Sequence, residues 1–208
     1  MTQFAVPAFA PVADLGDLLP QPVRSDELLN RLATRRSAPA QTLTAPGPDA
    51  AEVAEIIRLG ARTPDHGKLF PWRFVVMGPQ TRATLGESLS VLAVRKELGV
   101  KAQAVLAKLT AAPVSILVIS TARPGPKPVW EQELSSGAVC MNIEHAANAL
   151  GYASCWITDW YSYDPDALTL LGVKAGEKVA GFIHIGATVE PPLERVRPDL
   201  STLTTTLP

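Results

Sequence analysis

Residues 49–77 read DAAEVAEIIRLGARTPDHGKLFPWRFVVM, and the fold is decided here. Asp49 and Glu52 stand at capping-box spacing, in which each side chain satisfies a free backbone N–H at a helix start. Val53, Ile56, Ile57, Gly60 and Ala61 then recur at i, i+3, i+4, i+7 and i+8, which gives the helix one apolar face. A loop from Thr63 to Pro71 leads into an aromatic and β-branched run, Trp72–Met77, that reads as a strand.

Working outward, Ser25 is an N-cap for a short helix with Leu28, Leu29 and Leu32 on one face, and folding is expected to begin there. Arg35-Arg36-Ser37 follows, then a loop carrying Pro39, Pro46, Gly47 and Pro48. Residues 1–24 hold Pro7, Pro11, Pro20 and Pro22 with little periodicity, so they read as a flexible N-terminal arm before one domain spanning 25–208.

Downstream, Pro79 opens a helical stretch, and Gly99 breaks it before a second piece ending near Ala111. Pro113–Ser120 holds Val114, Ile116, Leu117, Val118 and Ile119, a short run typical of a buried strand. A long helix is expected from about Pro128 to Leu150, with Gly151 as its C′ residue. Trp130, Leu134, Ala138 and Met141 share one face of it, while Ser135, Ser136, Gly137, Ala146 and Ala147 would let another backbone approach closely. Ser154–Thr158 reads as a strand, Pro165–Leu171 as a short helix capped by Asp164, and Val179–Ala187 as a strand. Strands separated by helices predict an α+β sandwich.

Nineteen basic against twenty acidic residues leave a net charge of −1, so no basic field for nucleic acid or anionic lipid is expected. No apolar run approaches the roughly 18 residues of a membrane span. The N-terminus lacks a basic n-region, and Pro7 and Pro11 interrupt its apolar stretch, which argues against a secretory signal and for a cytoplasmic protein. Cys140 and Cys155 are expected to be reduced, buried thiols. An apolar content of 47% fits either a well-filled core or a surface lost in a subunit interface.

No GxGxxG follows a strand, and neither GxxxxGK[ST] nor a GxSxG elbow occurs. His66, His145 and His184 are scattered without metal-ligand spacing. Three segments remain, each with a plain reading beside a functional one. Arg35-Arg36-Ser37 offers two guanidiniums and a hydroxyl to a phosphate or a polar ring edge, or is a solvated helix end. Arg62-Thr63-Pro64-Asp65-His66 with Pro71-Trp72-Arg73-Phe74 lines a cofactor, or is an ordinary helix-to-strand connection. Trp156-Ile157-Thr158-Asp159, at a strand exit, exposes main-chain groups to a ligand, or is a core strand with a turn.

Taken together with Trp130-Glu131-Gln132-Glu133, Gly151-Tyr152, Gly181-Phe182 and Ile185-Gly186, these segments resemble the nitroreductase-like flavoprotein family. The resemblance runs from Ser25 to about Pro198 and is closest to a minimal bacterial branch with the PDH and WEQE elements. It implies a nitroreductase-like α/β sandwich whose mainly antiparallel sheet is flanked by helices. It also implies an intertwined homodimer with two FMN sites at the interface.

By that similarity Arg35, Arg36 and Ser37 would contact the FMN ribityl, phosphate or pyrimidine end, and Arg62 and His66 would lie by the flavin. Trp156, Ile157 and Thr158 would flank the ring, with main-chain N–H groups near Asp159 aimed at N5. Arg195 or Arg197 would hold the phosphate. Two departures stand out: Ala38-Pro39-Ala40-Gln41 replaces a basic residue that many relatives carry after RRS, and Phe70 replaces a Gln before Pro71-Trp72.

The function implied is an FMN-dependent oxidoreductase carrying hydride from NADH or NADPH to a small acceptor (a nitroaromatic, quinone or enone) in ping-pong fashion. The flavin performs the chemistry, so no catalytic side chain is expected, and His66 is the candidate substrate-side contact. An arginine at the pyrimidine edge would stabilise charge on the N1–O2 side. A flavin-binding protein without nicotinamide turnover, or another flavin reaction on the same fold, remains open.

Overall fold

The structure, a computed structural model, describes residue 9 and residues 12–207. Pro7 and Pro11 of the expected arm lie outside the described residues. The chain divides into two compact units, Met1–Arg35 and Arg36–Pro208. In the first, helix α1 (Asp26–Thr34) starts where Ser25 Oγ accepts from the Leu28 N–H at 3.2 Å. Leu28, Leu29 and Leu32 are all exposed.

The second unit contains α2 (Ala50–Gly60), β1 (Trp72–Met77), α3 (Pro79–Arg95), α4 (Gly99–Ala104), α5 (Leu106–Ala111) and β2 (Val114–Ser120). It continues with α6 (Val129–Ala149), β3 (Ala153–Ile157), α7 (Pro165–Leu170), β4 (Lys178–Gly186) and α8 (Leu200–Leu203), and 3-10 turns form at Ala40–Thr42 and Trp160–Ser162. The strands form one antiparallel sheet in the order β1-β2-β4-β3.

Alternation along β2 and β4 feeds two cores. Ile116, Val118, Ile183 and Ile185 pack with Val53 and Ile56 of α2 and Val139 and Ile143 of α6. Leu117, Ile119 and Phe182 face the other way, onto Leu89 and Leu92 of α3, Leu109 of α5 and Tyr161. Both faces of these strands are covered, which is why apolar side chains stand at successive positions, as at Ile116–Ile119, rather than only at alternate ones.

The capping box forms as its spacing demands: Asp49 Oδ1 accepts from the Glu52 N–H, and Glu52 Oε2 from the Asp49 N–H, both at 2.9 Å. The same Glu52 Oε2 accepts from the Tyr152 hydroxyl at 2.6 Å, so Gly151-Tyr152 ties the far end of α6 to the start of α2. Where the helices cross, a Cβ on Gly60 would lie 2.5 Å from Ile143 Cγ1, so only glycine allows this approach.

The small-residue face of α6 meets its own chain. Ser135, Ser136, Ala146 and Ala147 are buried within the chain, and a Cβ on Gly137 would meet the Trp156 ring at 3.7 Å. The backbone they admit is the chain's own, so this face does not argue for a second copy. Trp130, Leu134 and Ala138, on the other face, are exposed.

Cys140 and Cys155 are free, and burial pushes both thiols up to about 12, which leaves them neutral and unreactive. His184 is fully buried, stacked on Phe182, with Nδ1 2.6 Å from Ser115 Oγ. Burial first, and then the buried Arg82 guanidinium, lowers its pKa from 6.5 to about 4. The folded state therefore holds this imidazole neutral. Above pH 6.5 the group does not affect stability. Below it the unfolded chain takes up a proton that the native state refuses, and stability falls until about pH 4. The loss amounts to about 3 kcal/mol. Urea unfolding of wild type and His184→Gln across pH 4–7 should show the difference as a limb missing from the variant.

Candidate functional site

The Arg35-Arg36-Ser37 segment spans the division of the chain, since Arg35 ends the first unit and Arg36 begins the second. In the second unit the Ala38 N–H donates to the Ser154 carbonyl at 3.0 Å, which lays residues 36–38 along the outer edge of β3. Arg36 Nε donates to the Leu193 carbonyl at 2.8 Å, and Ser37 joins it in lining a cavity of about 590 Å3. Ala38, Pro39 and Thr42 complete one wall, and the tail from Thr188 to Glu194 forms the other.

The tail is led there by β4. Past Gly186, the Ala187 N–H donates to the Thr44 and Pro46 carbonyls at 2.8 and 3.0 Å. At the end of that wall, Glu194 Oε1 accepts from the Arg195 N–H at 2.7 Å and from Arg197 Nη2 and Nε at 2.8 and 3.1 Å. Arg36 Nε stands 4.0 Å from the same oxygen. The Arg195 N–H and Arg197 hold this carboxylate below the usual range. The Arg197 guanidinium and the Arg195 main-chain N–H thus meet on one anionic oxygen, and Arg36, distant in sequence, stands close by.

Trp156 crosses the opposite side of β3. Its Nε1 donates to the Ala180 carbonyl at 3.0 Å, and the indole lies over Gly181, where a Cβ would sit 2.0 Å from Nε1. Gly181-Phe182 is therefore a pair with two duties: glycine makes room for the indole, and phenylalanine enters the core. Ile157 is half-buried, and Thr158 Oγ1 accepts from the Tyr163 hydroxyl at 2.8 Å. The Asp159 N–H is already committed to Ser162 Oγ at 3.2 Å. Asp159 caps the following turn and pairs with Lys108 of α5 at 3.1 Å. Lys108 carries no sequence signal, because its partner is distant in the chain and its own helix is short.

The PDH loop belongs to another cavity, of about 490 Å3, lined by Pro64, Asp65, His66, Glu131, Leu134, Ser135 and Ala138. None of these residues lines the Arg36 cavity. Here α6 holds the loop by its carbonyls: Ser135 donates to that of Pro64 at 2.6 Å and Ser136 to that of Pro71 at 2.9 Å. Asn142 donates to Thr63 Oγ1 at 2.8 Å, and Asp65 Oδ2 accepts from the Phe70 N–H at 2.8 Å. Phe70 is exposed with φ +47°, a conformation that a bulky residue adopts only under such constraint.

The Trp130–Glu133 motif resolves residue by residue. Glu131 Oε2 lies 2.6 Å from His66 Nδ1, Gln132 holds Arg123 through both its N–H and its carbonyl, and Glu133 pairs with Lys178 at 2.6 Å. Arg62 is exposed at the end of α2. Arg73 leaves the site altogether: its guanidinium forks onto Glu177 at 2.6 and 2.9 Å and bonds the Gly172 carbonyl.

Comparison with known proteins agrees with this architecture. The profile of the Nitroreductase family matches residues 32–187. The chain belongs to the nitroreductase family. A Haemophilus influenzae protein named "Putative NAD(P)H nitroreductase" is 31% identical over 170 residues, covering 79% of this chain and 90% of that protein. An Escherichia coli K12 protein with the same name, YdjA, is also 31% identical, over 77% of this chain and 87% of its own. Among solved structures, a nitroreductase-like family protein from Bacillus cereus shares the fold at a TM-score of 0.76 and 17% identity, covering 90% of this chain and 99% of its own. A nitroreductase with bound FMN from Bacteroides fragilis matches at 0.68 and 24%, covering 88% and 100%.

The Trp156–Gly181 contact gives a direct test. Gly181→Ala must expel the indole and break its bond to the Ala180 carbonyl, at a cost of about 1–3 kcal/mol as an overpacking substitution. Denaturant unfolding should report that loss. Tryptophan emission should shift to the red as the ring moves into water.

Proposed function

We propose that this nitroreductase family member is an FMN-dependent oxidoreductase carrying hydride from NADH or NADPH to a small acceptor such as a nitroaromatic, quinone or enone. The observation that carries the reading is the cluster of Arg36, Arg195 and Arg197 around a carboxylate oxygen, beside a cavity at the edge of β3. Its donors, the forked Arg197 guanidinium and the Arg195 main-chain N–H, are those a phosphate group takes. The names of the relatives, NAD(P)H nitroreductases, and the FMN bound in the Bacteroides fragilis structure point the same way.

In this reading Arg36, Ser37, Arg195 and Arg197 hold the phosphate and ribityl chain, with Arg35 added on the sequence resemblance alone. Trp156, Ile157, Thr158 and Asp159 flank the ring. When bound, FMN supplies a two-electron relay between nicotinamide and acceptor. Lys108 neutralises Asp159 beside it, so that no unpaired carboxylate opposes negative charge on the ring.

Arg62 and His66 come from a second copy of the chain in a homodimer. Two features support this: the His66 cavity shares no residue with the Arg36 cavity, and Leu134 and Ala138, which line it, sit on the exposed face of α6. The tail offers further apolar surface at Val189, Leu193 and Val196, all more than four-fifths exposed.

The purified protein should be yellow, release FMN intact on denaturation, and bleach on anaerobic addition of NADH or NADPH. A colourless protein that FMN cannot reconstitute would overturn the reading. Arg36→Ala should weaken FMN roughly ten- to a hundredfold, the worth of a charge-assisted hydrogen bond. Sedimentation should give a dimer, burying on the order of 2,000 Å2 or more. A stable monomer that still holds FMN would remove the second copy from the site.

A further inference from the structure

The oxygen that gathers the arginines belongs to the chain itself. Glu194 Oε1 takes three hydrogen bonds, from the Arg195 N–H at 2.7 Å and from Arg197 Nη2 and Nε at 2.8 and 3.1 Å. Arg36 Nε, bonded to the neighbouring Leu193 carbonyl at 2.8 Å, stands 4.0 Å away. A main-chain N–H, a forked guanidinium and a second guanidinium close by form an anion site. A carboxylate with a single charge satisfies it less fully than a phosphate monoester would.

We propose that Glu194 is the resident counter-ion of an anion subsite built by Arg36, Arg197 and the Arg195 N–H, displaced when a phosphate monoester binds. This deepens the FMN reading and rests on it. The backbone can stay in place during the exchange, because Arg36 is anchored on the Leu193 carbonyl rather than on the Glu194 side chain. The Glu194 side chain is 61% exposed and swings directly into water, whereas Arg36, at 22%, is held against the cavity wall.

Charge makes the exchange necessary. Without a ligand, Glu194 offsets the repulsion between guanidiniums gathered at the cavity rim. Once a dianion arrives, a carboxylate at contact distance repels it and competes for the same N–H groups. Phosphate binding therefore includes the loss of the Glu194–Arg197 pair. A flavin lacking the phosphate does not meet that cost. Glu194 is in this sense a specificity-determining residue, since it sets how strongly the site separates a phosphorylated flavin from its uncharged counterpart.

The test titrates apo-protein with FMN and with riboflavin, following quenching of flavin fluorescence, in wild type, Glu194→Gln and Glu194→Ala. Both variants should bind FMN roughly tenfold tighter, the size expected for removing one charge from beside a dianion at an exposed site. Riboflavin affinity should stay unchanged, and the FMN gain should grow as ionic strength is lowered. Equal or weaker FMN binding in both variants overturns the proposal while leaving the FMN reading intact, because Glu194 would then only organise the arginines. Failure of wild type and both variants to bind either flavin removes the FMN reading and the proposal together.

Discussion

Strand β4 has a strand on each edge and a helical layer on each face, and the rest of the molecule is arranged around that constraint. Every residue from Gly181 to Gly186 is buried. Its backbone must therefore pair on both sides, with β2 and β3, because an unpaired amide there has no water to turn to. Once β3 is fixed at the edge, its outer side is left for the Arg36–Ala38 segment, through the Ala38–Ser154 hydrogen bond. The exit of β4 then delivers the tail to the same place. Sheet pairing thus brings Arg36 beside the tail, where its guanidinium bonds the Leu193 carbonyl.

Local chemistry was legible in the sequence because it is local. The capping box at Asp49 and Glu52, the Asp164 cap and Gly151 past the end of α6 each depend on residues within a turn of one another, and each forms as read. The strands were legible for a related reason: a run such as Ile116–Ile119, apolar at four successive positions within Val114–Ser120, fits a sheet covered on both faces. What a pattern could not show was the identity of the neighbour. The small residues of α6 announce a close approach, yet α2, the 63–71 loop and Trp156 make that approach from the same chain.

The candidate site was legible as segments and illegible as an assembly. Arg36 and Leu193 meet across 157 residues, and no spacing rule reaches that far. Arg73 carried the same chemical promise as Arg36 but spends its guanidinium on Glu177. The difference is set by the partner each finds in three dimensions, and a basic residue beside an aromatic strand looks the same in either case. Lys108 was missed for the converse reason, since a lone lysine on a short helix becomes notable only when Asp159 is seen opposite it.

In the proposed dimer, His66 would join assembly to chemistry. Its imidazole is positioned by Glu131, and Glu131 stands in the first turn of α6, the helix whose inner serines grip the loop that carries His66. The outer face of that helix supplies Leu134 and Ala138 to the wall of the His66 cavity. Any surface that covers this apolar face must also lie over His66, because the same residues line both. In the proposed dimer, the apolar area that drives association and the polar group that meets the acceptor are therefore adjacent on one helix. A substitution that loosens the pairing of two copies would also change the walls around His66.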